Sequence, residues 1–413
     1  MTQKYPTIII GGGQAGLSTS YHLTQRGQEH ILLEQAAQAG NAWRNDRWDS
    51  FTLLTPNWSF RLPGAEYQGV APDGFMKREE IVAAFEQYIL RFQMPVQYGV
   101  KVSSVEPITD GPGYRVSTDE AVLDARNVVI ATGLFQRPKV PAFSADLPAH
   151  ISQLHSGRYR NPQALPPGAV LVVGSGQSGC QIAEELYLSG RAVYLCVGSA
   201  GRVPRRYRGK DVYEWLRLSG FLDRTVDKLP SPKAKYAANP HLSGRDGGRS
   251  LNLHQFARDG VVLLGRIQNG RAGRIWLASD LKENLARADK FEVEIVKLID
   301  GLLLQTGMDA PLESLPVMRD GYEAEEIGDL DLLSVGITTI IWAIGYRFDF
   351  DMVRLPIFDS DGYPVQRRGV TDYAGLFFMG LPWLYKQKSG LLLGVGEDAE
   401  YIAEKIAGRE RKD

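Results

Sequence analysis

Two glycine-rich segments have the spacing and the setting of loops that bind the pyrophosphate of a dinucleotide. The first is Gly11-x-Gly13-x-x-Gly16, which follows the apolar run 7–10 and precedes a predicted helix. In such a loop one glycine makes the tight turn, the next admits the phosphate and the third allows close helix–strand packing. The helix N-terminus then offers free N–H groups to the phosphates. We assign the pyrophosphate contacts to Gly11, Gly13, Gln14, Ala15 and Gly16.

Glu34 stands at the end of the next predicted strand, Ile31-Leu32-Leu33-Glu34. A carboxylate about 20 residues after the glycine loop accepts hydrogen bonds from the adenosine ribose hydroxyls. Strand, loop, helix and acid together therefore predict a complete dinucleotide site rather than an isolated glycine-rich turn.

The second loop, Gly174-x-Gly176-x-x-Gly179, has the same setting, but its second strand ends in Cys196-Val197-Gly198 without a carboxylate. A missing acid with arginines just beyond it suits a 2′-phosphate, which favours NADPH over NADH. A solvated basic loop is the alternative interpretation of those arginines. The predicted coenzyme contacts are Gly174, Gly176, Gln177, Ser178, Gly179, Arg202, Arg205 and Arg206.

Composition excludes several other classes of protein. A chain of 413 residues predicts two or three domains. The net charge of −1 argues against a general nucleic-acid or membrane-surface binder. Two cysteines supply neither a disulfide framework nor a metal site, so we expect no metal. Because Met1 almost directly precedes a strand and no apolar stretch reaches about 18 residues, we expect no signal peptide, no membrane span and a cytoplasmic location.

The order of the elements predicts an α/β fold with two Rossmann-like dinucleotide-binding domains, the second inserted into the first. The strand–loop–helix opening recurs after a proline-rich linker at 137–167. Short antiparallel strands are predicted over 101–124, a buried strand over 337–345 and a final helix over 397–407. The predicted bounds are 1–160 and 335–413 for the first domain and 161–334 for the second.

Further motifs give the chain a family resemblance: Gly40-x-x-Trp43, Ala131-Thr132-Gly133 with its counterpart Ala343-Ile344-Gly345, and His155-Ser156-x-x-Tyr159. With the two glycine loops, they resemble the class B flavin-dependent monooxygenases, above all the short bacterial members. The resemblance implies FAD at the first loop and NADPH at the second. It also implies a flavin C4a-(hydro)peroxide that oxygenates a small molecule, with molecular oxygen as co-substrate, at nitrogen or sulfur. The cofactor contacts that it adds are Trp43, Thr132, Gly133, His155 and Tyr159.

The chain departs from the family pattern at two places. In the segment before His155, Ala149 and Ile151 stand where the family has phenylalanine and glycine. In Thr55-Pro56-Asn57 the asparagine lies two residues past the threonine, and Asn57 is the one candidate for a catalytic side chain.

The sequence leaves two other functions possible. One is an NAD(P)H oxidase or reductase that passes electrons to a quinone, oxygen or a protein partner. The other is a flavin-binding redox sensor without turnover. The substrate and the oligomeric state have no signal in the sequence.

Overall fold

The structure is a computed structural model, and it describes residues 3–410. Twelve strands form two separate sheets. In chain order they are β1 Gln3–Ile10, β2 His30–Glu34, β3 Val96–Tyr98, β4 Val102–Pro107, β5 Tyr114–Thr118, β6 Val122–Ile130, β7 Ser152–His155, β8 Ala169–Val173, β9 Val193–Cys196, β10 Val262–Leu264, β11 Ile337–Trp342 and β12 Leu376–Phe378.

Eight α-helices flank these sheets: α1 Gln14–Gln25, α2 Asn41–Asn45, α3 Arg78–Arg91, α4 Gln177–Leu188, α5 Val212–Leu218, α6 Leu253–Arg258, α7 Leu281–Thr306 and α8 Val395–Glu410. The other strands of residues 3–410 form small sheets of two or three strands: Arg61–Leu62, Ala65–Glu66, Arg137–Pro138, Arg206–Tyr207, Lys210–Asp211, Leu242–Ser243, Arg249–Ser250, Ile267–Arg271, Arg274–Leu277, Asp329–Asp331 and Tyr346–Arg347. Within residues 3–410, no helix has both the length and the apolar character that crossing a bilayer requires.

The first sheet has seven strands in the order β3-β2-β1-β6-β5-β4, with β12 also paired to β6. β1 is parallel to both β2 and β6. Its end, Ile8, Ile9 and Ile10, is almost fully buried, as expected for a parallel strand covered on both faces. The predicted meander corresponds to β4, β5 and the start of β6, which pair antiparallel.

The second sheet has five parallel strands in the order β7-β11-β8-β9-β10. In the first sheet a glycine loop follows β1, which lies between β2 and β6. In the second sheet a glycine loop follows β8, which lies between β9 and β11. The predicted α/β architecture of two Rossmann-like units is therefore confirmed.

The predicted domain bounds at 160 and 335 are wrong, because β7 and β11 belong to the second sheet. Ser152 pairs with Thr339 and His155 pairs with Trp342 in a parallel register. The second unit therefore already includes Ser152 and still includes Trp342. The sequence placed both strands in the first unit because the pairing of two strands so far apart in the chain leaves no local pattern.

Ion pairs connect the two units beside the start of α8. Lys386 Nζ lies 3.0 Å from Asp223 Oδ1 and 2.8 Å from Glu397 Oε2. Lys388 Nζ lies 2.9 Å from the same oxygen of Asp223. Asp223 comes from the second unit, whereas the lysines and Glu397 come from the first. These partly exposed ion pairs are therefore contacts between the two units.

Candidate functional site

The three glycines of the first loop have three different physical reasons to be glycine. Gly11 has φ +111°, and a Cβ there would lie 2.6 Å from the carbonyl oxygen of Ala131. A Cβ on Gly16 would overlap the carbonyl oxygen of Gly11. A Cβ on Gly13 would meet no atom within 4 Å. The first and third glycines therefore serve packing, whereas Gly13 faces open space of the kind that a pyrophosphate fills.

Glu34 is held at the entrance of this loop by backbone groups. Its Oε2 accepts a hydrogen bond from the N–H of Gly12 at 2.7 Å, and its Oε1 accepts one from the N–H of Ala36 at 2.8 Å. Each carboxylate oxygen has a second lone pair, so both can still accept from ribose hydroxyls. The residues present therefore fit an adenine dinucleotide.

The second loop repeats the geometry of the first. Gly174 has φ +102°, and its Cβ would lie 2.7 Å from the carbonyl oxygen of Ala343. A Cβ on Gly179 would overlap the carbonyl oxygen of Gly174, and one on Gly176 would meet nothing within 4 Å. The same open space next to a helix N-terminus therefore occurs twice.

The crevices of both sheets open at the carboxyl ends of their parallel strands, where ligands bind in open α/β sheets. Ala131-Thr132-Gly133 continues β6 beside Gly11, and Ala343-Ile344-Gly345 continues β11 beside Gly174. The second segment is thus the counterpart of the first, but it ends a strand of the second sheet and does not mark re-entry into the first. Gly133 and Gly345 have φ +74° and +80°, so the backbone turns sharply after each of the two segments.

His155 braces this turn in the second unit. Its Nε2 lies 3.1 Å from the carbonyl oxygen of Gly345, and the N–H of Gly157 donates to its Nδ1. Burial lowers the pKa of His155, so the ring is neutral with its proton on Nε2. Its edge packs on the Tyr346 ring, with the two centroids 4.6 Å apart. His155 therefore acts on the site by holding Gly345 in place.

Tyr159 does not have the position predicted for a cofactor contact. Its side chain has 0% exposure, and its hydroxyl donates to Glu185 Oε2 at 2.9 Å. The hydroxyl of Ser50 donates to the other oxygen of Glu185 at 2.6 Å. A side chain without accessible surface offers nothing to a ligand. Tyr159 instead connects the start of the second unit, through α4, to the first unit.

Two of the three arginines predicted to bind the 2′-phosphate are already neutralised by carboxylates. Arg202 is 7% exposed and lies 2.6 Å from Glu292 and 3.1 Å from Asp289, both on α7. Arg205 is 2% exposed and forms two hydrogen bonds of 2.7 Å with Asp211. The assignment of Arg202 and Arg205 to a phosphate is therefore wrong, because the charge of each is buried and paired within the protein.

Arg206, the third of these arginines, stays exposed. Its guanidinium donates to the carbonyl oxygens of Gly247 and Gly248 at 2.7 and 3.1 Å. These neutral acceptors leave its charge uncompensated. No carboxylate follows β9, where the chain reads Val197-Gly198-Ser199. Of the three arginines predicted to meet a 2′-phosphate, Arg206 alone therefore keeps a charge without a carboxylate partner, and its assignment stays a prediction.

Asn57 is a structural residue of a loop. It is 6% exposed, its Nδ2 donates to the carbonyl oxygen of Ala71 at 3.0 Å, and its Oδ1 accepts the N–H of Met76 at 2.6 Å. The prediction that Asn57 acts catalytically is wrong, because both ends of its amide hold the loop 71–76.

A third segment closes the first crevice, and sequence reasoning missed it. Gly380, two residues after the end of β12, has φ +75°, and its Cβ would lie 2.6 Å from the Cβ of Ala15 at the start of α1. Gln14 Nε2 donates to the carbonyl oxygen of Gly390 at 2.8 Å. The segment 380–394 thus lies against the first glycine loop. Gly380 directly follows the apolar run Leu376 to Met379, as Gly11 and Gly174 follow theirs, and this was the available signal.

Both cysteines of the chain are buried in the second unit. Burial raises the pKa of the Cys180 thiol, and it raises the pKa of Cys196 to about 12. Both therefore stay protonated at neutral pH and are poor nucleophiles. Cys180 lies in α4 and Cys196 in β9, so they do not form the adjacent redox pair of a disulfide reductase.

Comparisons with known proteins match this geometry. Residues 8–217 match the family described as pyridine nucleotide-disulphide oxidoreductase. The chain is 31% identical over 401 residues to an uncharacterized oxidoreductase CzcO-like of Geobacillus kaustophilus (strain HTA426), and the match covers 97% of each chain. It is 27% identical over 309 residues to the probable indole-3-pyruvate monooxygenase YUCCA1 of Arabidopsis thaliana, covering 73% of this chain and 74% of that one. A flavin-containing monooxygenase from Stenotrophomonas maltophilia has a similar fold, with a TM-score of 0.66, 19% identity and 99% coverage of both chains.

Proposed function

The chain belongs to the pyridine nucleotide-disulphide oxidoreductase family, and on that premise we propose that it is an NADPH-dependent flavoprotein monooxygenase acting on a small molecule. The observation that carries the proposal is the duplicated glycine loop, one on each of two sheets. Two dinucleotide sites in one chain suit a flavin and a nicotinamide coenzyme that exchange a hydride.

The first loop is the proposed FAD site, because only it has a carboxylate, Glu34, for an unphosphorylated ribose. The N–H groups around Gly13 would hold the pyrophosphate, Thr132 and Gly133 border the same crevice, and Trp43 stays a predicted contact of the flavin. The second loop is the proposed NADPH site. There the N–H groups around Gly176 hold the pyrophosphate, and His155 positions Gly345 beside it.

Bound FAD, once reduced by NADPH, supplies the electrons that activate molecular oxygen. The chain contributes binding, orientation and the exclusion of water. Trp48, Phe51 and Phe60 are buried, and apolar side chains of this kind would help to keep water from a reactive oxygen species.

The cysteines favour oxygen over a disulfide as the electron acceptor. Flavoproteins that reduce disulfides through their own thiols need a reactive thiolate, whereas Cys180 and Cys196 are buried and protonated. Nitrogen or sulfur is the proposed target atom, since each offers a lone pair to an electrophilic oxygen and needs no general base from the protein.

The test is the fate of the oxygen atoms. Purified protein with FAD and NADPH is supplied with isotopically labelled oxygen gas and a panel of thioethers and tertiary amines. One labelled atom in a sulfoxide or an N-oxide supports the proposal. Consumption of NADPH with full recovery of the label as hydrogen peroxide, whichever compound is offered, makes the protein an oxidase. Rapid reduction of a quinone without any use of oxygen makes it a reductase.

A further inference from the structure

Arg47 lies among three aromatic rings at the mouth of the first crevice. Its guanidinium carbon is 4.6 Å from the centroid of Phe135, 5.3 Å from that of Trp43 and 5.4 Å from that of Phe51. These rings come from separate parts of the chain, and each distance is within the range of a cation–π interaction. The rings therefore hold the guanidinium in one place without neutralising its charge.

The position of this guanidinium relates it to both dinucleotide sites. Phe135 follows Gly133 at the carboxyl end of β6, and Tyr346 follows Gly345 at the carboxyl end of β11. The rings of Phe135 and Tyr346 pack edge to face with their centroids 5.1 Å apart. Arg47 thus lies beside the contact between the two chain segments that follow the crevices.

Arg47 has no carboxylate in direct ion-pair contact within the described part of the chain, although the carboxyl group of Asp46 interacts with its charge at longer range. Within residues 3–410 its side chain donates one hydrogen bond, of 2.8 Å, to the carbonyl oxygen of its own neighbour Asp46, and it forms no ion pair. Its side chain is half-buried, and burial lowers the pKa of Arg47 from its usual value. Arg202 and Arg205, in contrast, each have a carboxylate at 2.6–2.7 Å.

Other charges nearby add to the positive potential. The carboxyl group of Asp46 interacts with Arg47, Arg158 and Arg160, and its pKa is nevertheless raised by burial. Three arginines against one carboxyl group leave the cluster with a net positive charge. A half-buried cation without a direct ion-pair partner is stabilised by an anion that enters its site.

We propose that Arg47 determines substrate specificity by binding an anionic group, most simply a carboxylate, of a substrate whose apolar body lies against Trp43, Phe51 and Phe135. The planar guanidinium can bind a carboxylate with two parallel hydrogen bonds, which a lysine cannot. This inference rests on the proposed function, because it places the substrate between the two cofactor sites. A phosphate of the coenzyme shares the same chemistry, and the experiment separates these two sources of the anion.

The first arm compares two probes that differ in charge alone, para-(methylthio)benzoate and its neutral amide, by equilibrium dialysis against the protein with its flavin bound. A hydrogen bond to a charged group contributes about 1.5–3 kcal/mol, or roughly 10- to 150-fold in Kd. We expect the benzoate to bind at least about tenfold more tightly than the amide. Equal Kd values for the two probes would overturn the inference.

The second arm uses variants of the same holoprotein. Arg47→Gln should abolish the preference for the benzoate while it leaves the amide within about threefold, and Arg47→Lys should restore part of the preference. Arg91→Gln is the matched control, because Arg91 also lies over a phenyl ring, that of Phe92 at 5.0 Å, but on α3. It should change neither Kd. A weaker Kd for NADPH in Arg47→Gln with an unchanged preference for the benzoate assigns the guanidinium to the coenzyme and refutes the proposal.

The dialysis needs no turnover, so it separates this inference from the proposed function. If the benzoate is preferred through Arg47 but no labelled oxygen enters any product, the specificity site stands and the oxygenation proposal fails. If labelled sulfoxide forms equally from both probes, the oxygenation proposal stands and the role of Arg47 is refuted. Flavin content and thermal midpoint identify a variant that has lost its fold, and Arg47→Lys, which keeps the charge, then carries the test.

Discussion

Replacing the middle glycine of each loop by alanine separates the two cofactor sites without disturbing the fold. Gly13 has φ −84° and ψ −173°, and Gly176 has φ −70° and ψ −175°, which are conformations that alanine adopts without strain. A methyl group at either position meets no protein atom within 4 Å. The substitution therefore acts on the ligand alone.

The expected magnitudes follow from these contacts. In the absence of cofactor, each variant should be as stable as the wild type or more stable by about 0.4–1 kcal/mol, because alanine restricts the unfolded chain. The methyl group occupies the space of the pyrophosphate and displaces it from the backbone N–H groups. Loss of one such charge-assisted hydrogen bond costs about 1.5–3 kcal/mol, or roughly 10- to 150-fold in Kd.

The assay measures FAD and NADPH binding to both variants, together with the unfolding of the apoprotein in denaturant. Gly13→Ala should lose affinity for FAD, and Gly176→Ala should lose affinity for NADPH while it keeps its flavin. Gly16→Ala is the contrasting variant, since its Cβ overlaps the carbonyl oxygen of Gly11 and should prevent folding of the first unit. Loss of NADPH affinity in Gly13→Ala and of FAD affinity in Gly176→Ala refutes the assignment of the two sites.

Three further predictions concern single side chains. Glu34→Gln should weaken FAD binding about tenfold, roughly 1.4 kcal/mol, because it removes the charge that the ribose hydroxyls meet; unchanged retention of FAD would show that Glu34 does not touch the ribose. Arg205→Met should lower the free energy of unfolding by about 3–5 kcal/mol, since it leaves Asp211 buried without its partner. Arg205→Lys should leave the ratio of kcat/KM for NADPH over that for NADH unchanged. His241 hydrogen-bonds the carbonyl oxygen of Ser175, and burial lowers its pKa from 6.5 to about 4. The unfolded chain binds that proton more tightly, so the free energy of unfolding decreases as the pH falls from 6.5 toward 4. Between pH 6.5 and 5, the free energy of unfolding of a His241→Gln variant should decrease by about 2 kcal/mol less than that of the wild type. Equal decreases in the two proteins would contradict the lowered pKa of His241.

Much of the fold could be predicted because its signals are local. A buried strand, a loop with glycines at fixed spacing and a helix occupy fewer than about 30 consecutive residues, and this chain contains the pattern twice. Glu34 was found by the same spacing. The roles of Gly13 and Gly176 follow from the loop itself, whose geometry a few neighbouring residues determine.

Several of the failures depend on partners that are distant in the chain. Arg202 meets Glu292, 90 residues away, so a basic run that looks free in the sequence is neutralised in the fold. The assignment of β7 and β11 to the first unit failed for the same reason, since their pairing joins residues almost two hundred positions apart. Asn57 illustrates a further cause, because an amide suited to a flavin is equally suited to brace a loop.

The most direct test of the central claim, that this chain protects activated oxygen between its two dinucleotide sites, is to mix the NADPH-reduced protein rapidly with oxygen. The flavin spectrum and hydrogen peroxide are followed with NADP⁺ present and after its removal. The account predicts that NADP⁺ delays the return of the oxidised flavin spectrum behind the consumption of oxygen. A thioether should shorten that delay and leave as the sulfoxide. Immediate return of oxidised flavin with stoichiometric hydrogen peroxide, whether or not NADP⁺ and the thioether are present, would contradict the account.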